Sequence, residues 1–269
     1  VGSEMCIRDS VYTFLGEVLK EVAGLFPASY IHIGGDEVAF GSKAWRDDPE
    51  ILQLMEREKL KNSKEVEGYF MHRMGDTVKE LGKKVVGWDE LLDAHPDTAS
   101  TIIFWWRHDH PEVLRASLQK GFATVLCPRR PLYFDFLQQK ADKWGRVWDG
   151  FCPLEDVYAF PEKQEEEWNL PAYSRDFILG IQANLWTERI HNEKRLDYMT
   201  FPRLCALAEA AWTLEERKDY GHFLNRLEDA YRLLDRYGIY YFDSRNPAAH
   251  PEPEGCRRQE REMPLDLRD

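Results

Sequence analysis

Five short, nearly continuous apolar runs punctuate the chain at Tyr30–Ile33, Lys84–Trp88, Thr101–Trp106, Thr124–Cys127 and Phe177–Ala183. Runs of this length without polar alternation suit strands covered on both faces, as in a parallel sheet. Helical periodicity fills the intervals. Leu15, Val18, Leu19 and Val22 share a face of a helix over Phe14–Leu25, and Tyr69, Phe70, Met74 and Val78 do so over Val66–Leu81, which Gly82 ends. A further helix, Pro111–Lys120, joins the third run to the fourth. Repeated βα units predict an α/β fold with a helix-covered parallel sheet, and a (β/α)8 TIM barrel is the leading form. Two amphipathic helices, Phe201–Trp212 and His222–Tyr237, follow the last strand.

Five strands fall short of the eight that close a barrel. The opening VGSEMCIRDS does not lead into the helix that follows it, and residues 1–10 read as a non-native leader. The expected division is therefore leader 1–10, a partial barrel of about the last five βα units over 11–245, and a Pro- and charge-rich, loosely ordered tail over 246–269. The interval Pro128–Asp176, rich in Pro, Trp and charge, is expected to be a long and mostly irregular connection. Such connections after barrel strands carry function.

Composition narrows the partners. Among 269 residues, 48 acidic and 36 basic side chains leave a net charge of −12, whose average field repels a polyanion. No Lys/Arg stripe interleaved with aromatics appears, so nucleic acid is not expected as a partner. No apolar run is long enough to span a bilayer. The five cysteines, Cys6, Cys127, Cys152, Cys205 and Cys256, are scattered and contain no CxxC pair, so they suggest neither a zinc site nor a disulfide framework. No metal or cofactor is expected, and the sequence assigns no oligomeric state.

The ends of the runs carry the chemistry. The first finishes in Gly34-Gly35-Asp36-Glu37, the second in Trp88-Asp89-Glu90 and the third in Trp105-Trp106-Arg107. Tyr133-Phe134-Asp135 follows the fourth, and the fifth leads into Asn184-Leu185-Trp186-Thr187-Glu188. C-terminal strand ends converge on the active site of a barrel. Aromatic walls with a few carboxylates suit a pyranose, whose C–H faces stack on rings while its hydroxyls donate to acceptors. Any one of these tryptophans, taken alone, reads as core, and recurrence at strand ends is what marks them. His32 alternates with Ile31 and Ile33, which points it into the barrel in a supporting role. Asp89 and Glu90 also fit a simple helix N-terminal pair favoured by the macrodipole.

HIGGDE at His32–Glu37, GWDE at Gly87–Glu90, the Tyr133-Phe134-Asp135 triplet and LWTE at Leu185–Glu188 resemble the β-N-acetylhexosaminidases of glycoside hydrolase family 20. The likeness runs from about Val11 to about Tyr241. It implies a retaining hydrolase in which the substrate's own 2-acetamido group is the nucleophile. Glu37 then matches the general acid, Asp36 the residue that orients the acetamide and steadies its charged nitrogen, and Tyr133 the phenol on the acetamide oxygen. Trp106 or Trp105, Trp148 and Trp186 match the acetamide pocket, Trp88 a further wall, and Asp135 and Glu188 the acceptors for sugar hydroxyls. The resemblance also implies glycans ending in N-acetylglucosamine or N-acetylgalactosamine as substrates, no cofactor, and a periplasmic, secreted or lysosomal-type setting. The family's sugar-gripping arginine, from an early barrel strand, has no match in this chain, and Arg8 in the leader is no substitute.

Adjacent carboxylates also fit this division of labour on physical grounds. A direct-displacement retaining glycosidase sets its two carboxyls across the sugar, about 5 Å apart. Neighbours on one strand end suit neighbouring jobs on a single substrate, and one ionised carboxyl makes it harder for the next to lose its proton. The rival readings are direct displacement with Glu188 as nucleophile and Glu37 as acid, a metal hydrolase around His32, Asp36 and Glu37, and a non-catalytic carbohydrate-binding remnant.

Overall fold

A computed structural model of the chain describes residues 8–38, 46–147, 150–170 and 172–255. Five strands, β1 (Tyr30–His32), β2 (Lys84–Trp88), β3 (Thr101–Trp105), β4 (Ala123–Leu126) and β5 (Ile178–Ile181), form one parallel sheet in the order β1-β2-β3-β4-β5. Every neighbour in space is the next strand in sequence, as successive right-handed βα units require. The register pairs Ile31 with Val85, Val86 with Ile102, and Phe104 with Val125. An α/β sheet of five consecutive parallel strands is the arrangement of part of a (β/α) barrel, in which eight strands close the ring.

The described α-helices of five or more residues are α1 (Asp9–Leu25), α2 (Pro49–Glu58), α3 (Ser63–Glu80), α4 (Pro111–Gln119), α5 (Leu154–Tyr158), α6 (Glu162–Trp168), α7 (Glu193–Thr200), α8 (Arg203–Trp212) and α9 (Tyr220–Tyr237). Their ends have chemical causes. Asn62 accepts from the Glu65 amide, and the Glu65 carboxylate reaches back to the Lys61 amide, which starts α3. Asp219 caps α9 through the His222 amide, and Gly238, at φ 67°, ends it in the left-handed conformation.

Alternation sorts each strand between two faces. Ile31, Val85 and Ile103 turn outward into a buried cluster with Met71 and Val78 of α3. Tyr30, His32, Val86, Trp88 and Phe104 line the opposite, inner face, so His32 does point inward. A larger core forms where Trp105, Leu118, Leu126 and Phe134 meet Phe223, Leu227, Tyr231 and Leu234 of α9. That spacing of four, four and three along α9 is one helical stripe.

Two stretches differ from expectation, the face of α1 and the interval 128–176. Of the leader expected over 1–10, residues 1–7 lie outside the described ones, and α1 begins at Asp9. Val18 of α1 is exposed at 41%, while Leu19 and Ala23 carry the packing. The interval 128–176 holds α5 and α6, and Leu132, Phe134, Phe136, Leu137, Val157 and Phe160 within it are buried. Buried Arg203 of α8 ties that interval down by donating to the carbonyls of Phe134, Phe136 and Cys152.

Candidate active site

β1 ends in a backbone that few sequences tolerate. Gly34 and Gly35 sit at φ 76° and 98°, and a Cβ on Gly35 would come within 3.0 Å of Met71 Cε. Glu37 itself has φ 51°. A glutamate in the left-handed region is uncommon and costs on the order of 1 kcal/mol, a type of strain that clusters at functional sites. The turn is held on both sides: the Gly34 amide donates to His32 Nδ1 at 3.1 Å, and the Gly34 carbonyl accepts from the Trp88 amide at 3.0 Å. Asp36 and Glu37 both face solvent.

The other strand ends supply an unbroken aromatic wall. The His32 ring meets Trp88 edge-on at 4.9 Å and Phe104 at 5.4 Å. Trp88 lies 6.2 Å from Trp186, Trp186 lies 6.1 Å from Tyr133, and Tyr133 stacks on Trp106 at 6.4 Å with an 18° interplanar angle. Burial around the imidazole lowers the His32 pKa, with Asp36 opposing. Burial pushes the Tyr133 phenol far up, so it stays a neutral hydroxyl able to donate. A cavity of about 530 Å³ opens along the inner face, lined by His32, Trp88, Phe104, Asn184 and Trp186 among others.

The two indoles at the end of β3 part company. Trp105 is fully buried in the large core, edge-on to Trp168 at 5.1 Å, whereas Trp106 faces Tyr133. Strand alternation sends consecutive side chains to opposite faces, and of the pair only Trp106 joins the wall. Trp148 lies outside the described residues.

Asp89 and Glu90 do more than begin a helical turn. Asp89 is 1% exposed and accepts from the Trp106 amide at 3.1 Å, the Arg107 amide at 3.3 Å and Arg107 Nε at 2.5 Å. Glu90 accepts from Trp106 Nε1 at 3.0 Å, which fixes the indole against Tyr133. Burial pushes both carboxyls up and Arg107 pulls both back; Glu90 also feels the Asp89 charge.

Asp135 is managed differently. It is 3% exposed, and neither carboxylate oxygen accepts a hydrogen bond. Arg146 Nε lies 3.3 Å from its Oδ2, and Arg146 Nη2 lies 3.7 Å from Glu188 Oε1. Burial pushes Asp135 up to about 6, with Arg146 opposing. One guanidinium thus stands between the two carboxylates read as sugar acceptors. Arg146 was not singled out from the sequence, where nothing separates it from other charged residues of its interval. Main-chain bonds lock the carriers together: the Phe134 amide donates to Asn184 O at 2.7 Å, and the Asn184 amide to Leu132 O at 2.9 Å. Trp186 and Glu188 remain 37% and, for the side chain, 64% exposed. Among the described residues no group of three His, Cys, Asp or Glu side chains is arranged to hold a metal ion.

The chain resembles known proteins in both sequence and fold. The sequence model for the catalytic domain of glycosyl hydrolase family 20 matches residues 2–215. A beta-hexosaminidase of Porphyromonas gingivalis is 35% identical over 235 residues, covering 87% of this chain and 29% of that protein. One from Vibrio furnissii is 38% identical over 198 residues, covering 73% and 31%. The crystal structure of a family 20 exo-β-N-acetylglucosaminidase from Vibrio harveyi, in complex with N-acetylglucosamine, superposes with a TM-score of 0.79 at 37% identity, covering 88% of this chain and 36% of that one. The chain therefore spans about a third of the length of the relatives it matches. With its motifs at the ends of consecutive parallel strands and its sequence matched over most of its length, the chain belongs to glycosyl hydrolase family 20.

Proposed function

We propose that the intact protein removes terminal non-reducing N-acetyl-D-hexosamine residues from β-N-acetylhexosaminides, with retention and through an oxazolinium intermediate. The observation that carries this reading is that the Asp36-Glu37 turn is tied, through the Gly34 carbonyl and the Trp88 amide, to one end of the Trp88–Trp186–Tyr133–Trp106 wall at the ends of the following strands.

In the first step the acetamide oxygen attacks the anomeric carbon while the bond to the leaving oxygen breaks. Glu37 gives its proton to that oxygen. Asp36 faces the acetamide nitrogen, which becomes positive as the ring closes, and Tyr133 donates to the acetamide oxygen and so fixes its angle of attack. Trp106 and Trp186 enclose the acetamide methyl, a role the family likeness also gives to Trp148, and Trp88 adds a further wall. Asp135 and Glu188 accept from sugar hydroxyls. Glu37, now a carboxylate, takes a proton from water, which reopens the oxazolinium at the anomeric carbon. The left-handed backbone of Glu37 supports its catalytic role, since strain of that kind persists where surrounding structure imposes it. His32 supports the turn through the Gly34 amide. On the same family likeness the substrates are glycans ending in N-acetylglucosamine or N-acetylgalactosamine, and the setting is periplasmic, secreted or lysosomal-type. No described helix is long and apolar enough to cross a membrane.

Kinetics on the intact protein test the reading. Glu37→Gln is expected to lose about 10²- to 10⁴-fold in kcat on poor leaving groups and much less on activated aryl glycosides. Asp36→Asn is expected to slow formation of the cyclic intermediate. Equal cleavage of the N-acetylated and deacetylated glucosaminides would refute the substrate-assisted route. Trapping of Glu188 by a 2-fluoro sugar would replace it with direct displacement.

A further inference from the structure

Residues 246–255 lie beyond the matched family segment and read from sequence as the start of a loose tail, yet they make specific contacts with the site's supporting loop. His250 packs edge-on against Tyr241 at 4.1 Å, and the Tyr240 hydroxyl donates to the Pro251 carbonyl at 2.8 Å. The Glu252 carboxylate then accepts from two successive amides, Lys143 at 2.6 Å and Trp144 at 3.0 Å, and from Arg195 Nη1 at 2.9 Å. Arg195 of α7 is 1% exposed; it also donates to the carbonyls of Pro253 and Trp144. A Cβ on Gly255 would stand 3.1 Å from Trp144 Cβ, so the segment lies tightly on the loop.

Two residues past the clamped amides is Arg146. Its amide donates to the Asp135 carbonyl at 3.4 Å, its carbonyl accepts from the Leu137 amide at 3.0 Å, and its guanidinium lies beside Asp135 and Glu188. We propose that Glu252 is a positioning residue for sugar binding, whose carboxylate clamps residues 143–144 against Arg195 and thereby sets Arg146 between Asp135 and Glu188. The proposal deepens the function above and rests on it, since it takes Asp135 and Glu188 as the acceptors for sugar hydroxyls. The physical case is that a carboxylate bonded to two consecutive amides and a buried guanidinium is a charge-assisted anchor with little freedom to slide.

The test uses the intact protein with Glu252→Ala, Glu252→Gln, Arg146→Ala and the Glu252→Ala/Arg146→Ala double variant. Glu252→Ala is expected to raise KM about tenfold with kcat within about twofold, the pattern of lost uniform binding. Glu252→Gln, which keeps one acceptor oxygen, is expected to fall between. In the Arg146→Ala background, Glu252→Ala is expected to add nothing further to KM. Hydrogen exchange at the Lys143 and Trp144 amides should quicken in Glu252→Ala while the amides of β3 and β4 keep their protection, which shows a folded variant. An unchanged KM, or the same rise in KM in the Arg146→Ala background, would overturn the proposal. A wild-type protein without hexosaminidase activity would instead overturn the function on which it rests.

Discussion

Replacing Arg203 with methionine should destabilise the protein by about 3 kcal/mol. The guanidinium is fully buried and donates to three carbonyls of the interval 128–176, Phe136 at 2.9 Å, Cys152 at 3.0 Å and Phe134 at 2.5 Å, and to the Met199 carbonyl of α7, from Nε at 3.2 Å. Methionine fills similar space but offers no donor. Each buried carbonyl left without a partner costs about 1 to 3 kcal/mol, so the three of the interval alone cost about 3 to 9. Part of this is offset because a charge no longer has to be buried; burial alone already pulls Arg203 down to about 10. The low end of the range, about 3 kcal/mol, is what remains. Arg203→Lys keeps a charge but replaces the planar fork with a compact ammonium, and is expected to lose at least as much. Urea unfolding followed by tryptophan fluorescence, with equal m values, measures the difference. A methionine variant within about 0.5 kcal/mol of wild type would refute the argument that these carbonyls depend on Arg203. The same variant should lower activity as well, because two of the held carbonyls flank Asp135.

Two further outcomes concern pH. Glu67 on α3 is pushed up to about 7 by burial and by Asp93, with Lys64 opposing, so its folded pKa lies above its unfolded value. Stability is then fully present below the ordinary carboxylate range and falls as pH rises from there through about 7; the unfolding free energy from urea titrations should drop over that window by about 2 kcal/mol more in wild type, allowing for partial exposure, than in Glu67→Gln. Asp135 is pushed up to about 6, and hydroxyl acceptance requires its ionised form, so KM should rise as pH falls through about 6 and lose that dependence in Asp135→Asn.

The sheet was legible because its signal is local. Five strands that are apolar on both faces stand out as runs, and all five occur within a residue or two of where the runs lie. Helix α2 escaped notice although Asp48 caps it and Pro49 begins it, because only Ile51 and Leu54 are buried and two apolar positions make no visible stripe. The interval 128–176 read as irregular for a different reason. Its order comes from Arg203 and Arg195, which lie far along the chain and look in sequence like any surface arginine. Whether Trp105 or Trp106 joins the site depended on the phase of β3, which a doublet of identical residues leaves open.

Three carboxylates at the strand ends look alike in sequence, and hydrogen bonding separates them. Asp89 and Asp135 each follow an aromatic-rich stretch and each is almost wholly buried. Asp89 already accepts from two amides and Arg107 Nε, so it has little capacity left to favour a ligand, and its effect is to hold Trp106 and Arg107 in place. Asp135 accepts no hydrogen bond at all, although an ionised carboxylate has room for about four. A buried acceptor left in that state is costly unless a donor arrives, and sugar hydroxyls are donors of the right kind. Glu188 has the same guanidinium neighbour but keeps most of its side chain in water, so its desolvation on binding is still to come. The affinity contributed by Asp135 is therefore stored in the fold before substrate arrives, and that of Glu188 is not. Removing the carboxylate of Asp135 should for that reason relieve the folded protein of strain while weakening the sugar's grip, a pairing of effects that Asp89 cannot show.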